Sequence, residues 1–254
     1  MAQGKNQHPA SALPLAGGEI LLFGGSFNPV HLGHMAVIRA ALAWKAEEAD
    51  QPGEGTSPAG VPSAPRLLLI PAGVSPFKQG ESALPAGLRL NLLQAAIQGM
   101  NGVAICTLEL EQPGPSYTIH TLKALAALYP GRALRLILGG DAFAGFSRWK
   151  EAAAILDLAG LLLVARPGFH GLGGESPAGA GLGAECARML PAPWNIRARP
   201  SPAGLTGPDG RLVAARLDAD PPDVSASRIR REHGLERVPN AAQDLLARYW
   251  KDNP

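Results

Sequence analysis

The sequence predicts an α/β fold: a doubly wound, mostly parallel sheet with helices on both faces, in a single domain with loop insertions. Three observations carry this expectation. Short apolar runs alternate with helix-period segments from Glu19 to Trp250. Two of the runs end in paired glycines, Gly24-Gly25 and Gly139-Gly140, which let a ligand approach the backbone closely. Two basic residues, Lys78 and Arg166, also follow apolar runs, so all four features fall on the carboxyl edge of the sheet. That edge is where open α/β sheets bind ligands.

The first strand is read over Glu19-Ile20-Leu21-Leu22. The next helix runs from Met35 to Lys45, with apolar residues at Met35, Ile38, Ala41 and Leu42. Between them lies Phe23-Gly24-Gly25-Ser26-Phe27-Asn28-Pro29-Val30-His31-Leu32-Gly33-His34. A strand that turns through glycines into a helix leaves backbone N–H groups and the positive helix end aimed at one spot. That spot favours phosphate. His31 and His34 fall on nearly one face of the first turn. Imidazoles there donate hydrogen bonds to phosphates and offset the charge that grows on oxygen in a transition state. A Gly-Gly pair alone is an ordinary turn, and a lone histidine at a helix start is an ordinary cap. Their combination with Asn28-Pro29 has no simple structural need.

Residues 1–18 read as a disordered extension, and the domain as residues 19–252. The low-complexity tract at 49–65 reads as a surface insertion. Arg66 to Ile70 is the second strand, ending at Pro71 and followed by the loop that carries Lys78. From position alone Lys78 is either a solvated loop residue or a ligand contact. Leu84 to Met100 is an amphipathic helix with Leu88, Leu92, Leu93 and Ile97 inward, and Arg89 is expected on the surface. Val103 to Leu110 is the third strand, with Glu109 near its end. A helix over Ile119 to Tyr129 follows Pro115-Ser116-Tyr117-Thr118, with Ser116 or Thr118 as its N-cap.

The fourth strand, Leu134 to Leu138, runs into Gly139-Gly140-Asp141. Asp141 is either an N-cap for the residues from Ala142 onward or a carboxylate for a ribose hydroxyl or a metal. Gly160 to Ala165 is the fifth strand, and a mobile loop is expected from Phe169 to about Glu185 within the Gly/Ala/Pro-rich tract at 168–185. Residues 186–210 show no readable pattern, and Arg211 to Leu217 is a short strand. In Val224-Ser225-Ala226-Ser227-Arg228-Ile229-Arg230-Arg231, two serines precede a helix whose first turns hold three arginines. Arginines at a helix start oppose the dipole unless an anion is present, and their forks match phosphate oxygens. The last helix, Ala241 to Trp250, is expected to turn Leu245, Leu246 and Tyr249 inward.

A chain of 254 residues with a net charge of +2 can bury a good core and has no polyanion-coating character. Cys106 and Cys186 have no metal-ligand spacing and make no disulfide framework, which suits a reducing cytoplasm. The N-terminal residues lack the apolar core of a signal peptide, and the apolar stretch from Ile155 to Val164 is broken by Asp157, so a soluble protein without membrane contact is expected. Neither Gly-x-x-x-x-Gly-Lys-Ser/Thr nor Gly-x-Gly-x-x-Gly follows the first strand.

The stretch from Gly24 to His34 resembles the signature of the HxGH nucleotidyltransferase superfamily, and its fuller form is similar to that of bacterial nicotinate-nucleotide adenylyltransferases. Further resemblances occur in order: Pro-Ser-Tyr-Thr with Thr121-Leu122, Gly139-Gly140-Asp141 followed by Trp149-Lys150, and the serine–arginine segment near the C-terminus. The sequence departs from the family pattern at Phe77, Ala226 and Arg228. The resemblance implies a Rossmann-like fold and transfer of an adenylyl group from ATP to nicotinate mononucleotide, giving deamido-NAD and pyrophosphate. It implies His31, His34, Lys78 and Arg230 as catalytic. Around ATP it implies Gly24, Gly25, Ser26, Phe27, His34, Gly139, Asp141, Arg166, Ser225, Ser227 and Arg230. For the pyridine nucleotide it implies Ser26, Lys78, Tyr117, Thr118 and Trp149, the last as a face for the ring. Mg²⁺ is expected with the ATP phosphates, without an assigned protein ligand, and no nucleic acid as partner. Two alternatives stand beside this reading. One is the same reaction on nicotinamide mononucleotide or phosphopantetheine. The other is a regulatory nucleotide-binding protein that keeps the fold.

Overall fold

The first strand is longer than its apolar run: Glu19–Gly25 (β1) carries the ladder into both glycines. In the computed structural model, which describes residues 18–44, 66–73, 83–164, 184–201 and 204–253, β1 lies inside one eight-stranded sheet. The others are Leu67–Pro71 (β2), Val103–Ile105 (β3), Ala133–Gly139 (β4), Ala159–Val164 (β5), Arg199–Ser201 (β6), Gly204–Thr206 (β7) and Leu212–Leu217 (β8). Their order is β3-β2-β1-β4-β5-β8-β7-β6. Pairing is parallel from β3 through β8, and antiparallel at β7 and β6.

Neighbouring side chains on each strand enter different cores, which is why the central strands read as continuous apolar runs. Ile20, Leu22, Leu68, Ile70, Leu134, Leu136 and Leu138 face one core. That core is closed by Thr118–Leu128 (α4) and the helix Ala152–Leu158, together with Phe143 and Phe146. Leu21, Leu67, Leu69 and Ile137 face the other, under Leu32–Ala43 (α1), Ala86–Ala96 (α2) and Asn240–Asp252, the last helix. Helices therefore cover both faces, as expected of a doubly wound sheet.

Several local expectations are corrected. Only Val103–Ile105 is strand in the third run, because Leu108–Glu111 (α3) coils into a helical turn that Thr107 closes by donating to Glu111 Oε1 at 2.6 Å. Arg89 is buried at 5% exposure, and Leu245 is exposed while Leu246 fills the core. The stretch from 186 to 210 holds β6, β7 and the short helix Trp194–Arg197, and the helix Ala184–Arg188 begins inside the tract expected as loop. Lys78, Phe77, Arg166, residues 1–17 and the tract at 49–65 lie outside the described residues.

Candidate active site

Strand register brings the glycine turns together. Gly25 pairs with Pro71, Phe23 with Ile137, Gly139 with Val164, and Val164 with Leu217. Gly25 and Gly139 thus stand in one row at the carboxyl edge, on the adjacent strands β1 and β4. The chain winds outward from β1 through β2 to β3, then returns to β4 and continues the other way. The crevice between β1 and β4 is the switch point of the sheet.

His31 and His34 lie where the loop that leaves β1 enters α1. His31 is the N-cap of α1, not a member of its first turn. The N–H of His34 donates to His31 Nδ1 at 3.3 Å, and the N–H of His31 donates to His34 Nδ1 at 3.1 Å. This is a capping box built from two imidazoles. A neutral imidazole that accepts at Nδ1 carries its proton on Nε2, so both rings offer an Nε2–H donor. The cap consumes the His34 N–H, one of the donors that the start of α1 offers an anion. The rings stack at 3.6 Å, and Phe27 and Phe23 lie 4.8 and 5.9 Å from the His34 ring. Gly33 makes the stack possible, since a Cβ there would stand 3.1 Å from His31 Nδ1 and Cε1.

The loop between β1 and α1 is tied down from three directions. Arg230 Nη1 donates to Asn28 O, and the N–H of Leu84 donates to Asn28 Oδ1 at 2.8 Å. Arg89 Nη1 donates to Ser26 O at 2.7 Å. The loop needs such anchors because Phe27, fully buried, holds a left-handed backbone at φ 43°.

Arg230 belongs to the helix Ala226–Glu232, whose N-cap is Ser225. This helix has only two turns, so Arg230 and Arg231 occupy its last turn and suit the dipole. Arg228 alone stays in the first turn, where it pairs with Glu232 at 3.0 Å, so the expected clash with the helix start is limited to that one arginine. Ser225 makes no side-chain cap bond, and Ser227 lies inside the helix; both are exposed.

Beyond β2 and β3 the second loop cluster forms. Ser116 Oγ accepts from the Gly73 N–H at 3.2 Å, so it does not cap α4; the N-cap is Tyr117, and Thr118 is the first helical residue. Gly73 admits no side chain, because a Cβ would run into the carbonyl of Glu109. Thr121 donates to Glu109 Oε1 at 2.7 Å. Burial pushes the Glu109 carboxyl up, against the pull of hydrogen bonds from Thr121 and Ser116. Lys150 Nζ stands 4.5 Å over the Tyr117 ring and 3.3 Å from His120 Nε2. Trp149, half-buried, packs 5.4 Å from Phe146. Gly139 caps the helix Gly140–Ala144, so Asp141 is not its N-cap but lies exposed in its first turn.

Arg89 is the residue that sequence reading missed. Its signal was its place at the same helical spacing as Leu92, Leu93 and Ala96, in the buried stripe. Among the described residues, no group of three or more His, Cys, Asp or Glu could hold a metal ion, and no helix is long and apolar enough to cross a membrane.

Comparison with known proteins decides the family. Residues 22–49 match the Cytidylyltransferase-like family model. A protein of Bordetella petrii named Probable nicotinate-nucleotide adenylyltransferase is 33% identical over 218 residues, covering 85% of this chain and 97% of its own. The chain belongs to the nicotinate-nucleotide adenylyltransferase family. A Bacteroides fragilis member of the family is 36% identical over 148 residues, and the match spans 58% of this chain and 65% of that relative's length. The fold also matches a Plasmodium falciparum nicotinic acid mononucleotide adenylyltransferase complexed with NaAD, with a TM-score of 0.55 over 91% of this chain and 95% of that one, at 14% identity.

Proposed function

We propose that the protein transfers the adenylyl group of ATP to nicotinate mononucleotide, forming deamido-NAD and pyrophosphate in NAD biosynthesis. The observation that carries this reading is the stacked, mutually capped pair His31 and His34 at the β1–β4 switch point. A phosphate oxygen of the mononucleotide attacks the α-phosphorus of ATP in line. The bond to the β-phosphate oxygen breaks, and pyrophosphate leaves with the electron pair. The nucleophile is already an anion, so positioning and charge neutralisation are the chemistry required.

The Nε2–H groups of His31 and His34 donate to the triphosphate oxygens. Arg230, fixed to the β1–α1 loop through Asn28 O, adds positive charge, and Lys78 and Arg166, which follow β2 and β5 in the sequence, are assigned there by residue type. Ser227 adds a hydroxyl. Gly24, Gly25 and Gly139 leave room for the nucleotide, and Asp141 offers its carboxylate to the ribose. Tyr117, Thr118 and the face of Trp149 hold the pyridine nucleotide. Mg²⁺ bound to the triphosphate would supply further charge neutralisation for the departing pyrophosphate; among the described residues no group of three or more His, Cys, Asp or Glu could hold it. The two free cysteines, Cys106 and Cys186, suit a reducing compartment, in keeping with a cytoplasmic location.

The test is pyrophosphate release from ATP and Mg²⁺ with nicotinate or nicotinamide mononucleotide in separate reactions. Release with the nicotinate compound and little with the amide is the expected result. Equal rates would extend the substrate range to the amide. Silence with both, from folded protein that binds ATP, would overturn the reading.

A further inference from the structure

Arg89 is a cation where none is expected. It projects from α2 into the apolar stripe beside Leu92 and Leu93, at 5% exposure. Burial pulls its guanidinium below its ordinary value, and no acidic side chain pairs with it among the described residues. Its Nε is buried without a hydrogen-bond partner among them. A charge held this way is destabilising in itself, so its retention calls for a use.

The contacts show one. Nη1 donates both to Ser26 O at 2.7 Å and to Ala72 O at 2.9 Å. Those carbonyls belong to the loops after β1 and β2, which the N–H of Ala72 also joins by donating to Gly25 O at 2.9 Å. The Ser26 carbonyl leads directly into Phe27, the residue with the left-handed backbone. In a trans peptide the N–H points opposite to the C=O. Fixing the Ser26 carbonyl on Arg89 therefore aims the Phe27 N–H away from α2.

We propose that Arg89 is a positioning residue for adenylyl transfer, clamping the loops after β1 and β2 and holding the Ser26–Phe27 peptide with its N–H turned away from α2. This rests on the reading of the site as an adenylyltransferase centre. Arg89 itself touches no substrate. It acts through Ser26, Phe27 and Ala72.

The test uses Arg89→Met, which keeps the stem without fork or charge, and Arg89→Lys, which keeps the charge on a shorter stem without the planar fork. Two readouts are taken on the full chain, normalised to folded protein by circular dichroism. In Arg89→Met, kcat is expected to fall ~10- to 100-fold with KM for ATP changed less than threefold, and Arg89→Lys to recover part of the loss. Amide hydrogen exchange across residues 24–30 is expected to speed up at least tenfold in Arg89→Met. A wild-type kcat per folded molecule, or unchanged exchange, overturns the proposal, because a merely structural arginine would lower thermal stability and leave kcat intact. If Arg89→Met does not fold, Arg89→Lys carries the same test, with a kcat at least threefold below wild type expected and a wild-type kcat overturning it. If the wild type releases no pyrophosphate, the adenylyltransferase reading fails, and the loop clamp is then judged on exchange alone.

Discussion

Gly33→Ala separates the chemistry of the histidine pair from the stability of the fold. The added Cβ would stand 3.1 Å from His31 Nδ1 and Cε1, so the imidazole must retreat by about 0.3 Å to reach an ordinary contact distance. Its bond from the His34 N–H is already 3.3 Å long, and that retreat stretches it beyond useful hydrogen bonding. Losing the cap costs about 1 kcal/mol. Alanine in place of glycine within α1 gains at most about 1 kcal/mol of helix propensity. The two effects nearly cancel, so stability is expected to stay within about 1 kcal/mol of wild type. Turnover is expected to fall about tenfold or more, because a displaced Nε2 donor no longer meets the reacting phosphates. Thermal unfolding and pyrophosphate release, measured on the same preparation, check both halves. Wild-type turnover from folded Gly33→Ala protein would refute the reasoning.

Two further outcomes follow from buried polar groups. Gly160→Ala places a Cβ against Arg135 Nη1 and 2.8 Å from Leu212 O, at the edge of the sheet opposite the histidines. Arg135 is pinned by Glu19 Oε1 at 2.7 Å and Leu212 O at 2.8 Å, so thermal unfolding should report a loss of about 2 kcal/mol or more, with kcat per folded molecule unchanged. Glu109→Gln tests the raised carboxyl. The unfolded chain releases this proton near 4.5, before the folded chain does, so the wild type loses stability as pH rises from there through the folded value. Urea titrations should show Glu109→Gln without that component of the decline; an unchanged pH dependence would remove Glu109 from the account.

The central strands were legible because β1, β2, β4 and β5 are buried on both faces and read as apolar runs, interrupted by Arg135 in β4, with glycine ending β1 and β4 and proline ending β2. The third run misled because alternation over Val103 to Leu110 fits a strand, while the bond from Thr107 to Glu111 closes a helical turn within it. The β6–β7 hairpin was illegible, since Arg199-Pro200-Ser201 gives no apolar alternation and proline is tolerated only because β6 is the sheet's edge. At the site, the histidines and both glycine turns could be read because their residue types carry chemistry at fixed spacing. The reciprocal cap, which sets both Nε2 donors, needed coordinates. So did Arg89, whose carbonyl partners lie 17 and 63 residues away.

The proposed transfer requires the Nε2–H of His34 as a donor distinct from its capping Nδ1, and His34→Asn measured beside His34→Gln tests this directly. The Asn Oδ1 can replace Nδ1 as acceptor for the His31 N–H but supplies nothing at Nε2, whereas the Gln amide can return a donor near the Nε2 position. With ATP, Mg²⁺ and nicotinate mononucleotide, His34→Asn is expected to keep its unfolding temperature and lose ~100- to 1,000-fold in kcat, with His34→Gln losing less. Near-wild-type turnover in His34→Asn would contradict the account, since the cap would then be the only role His34 plays.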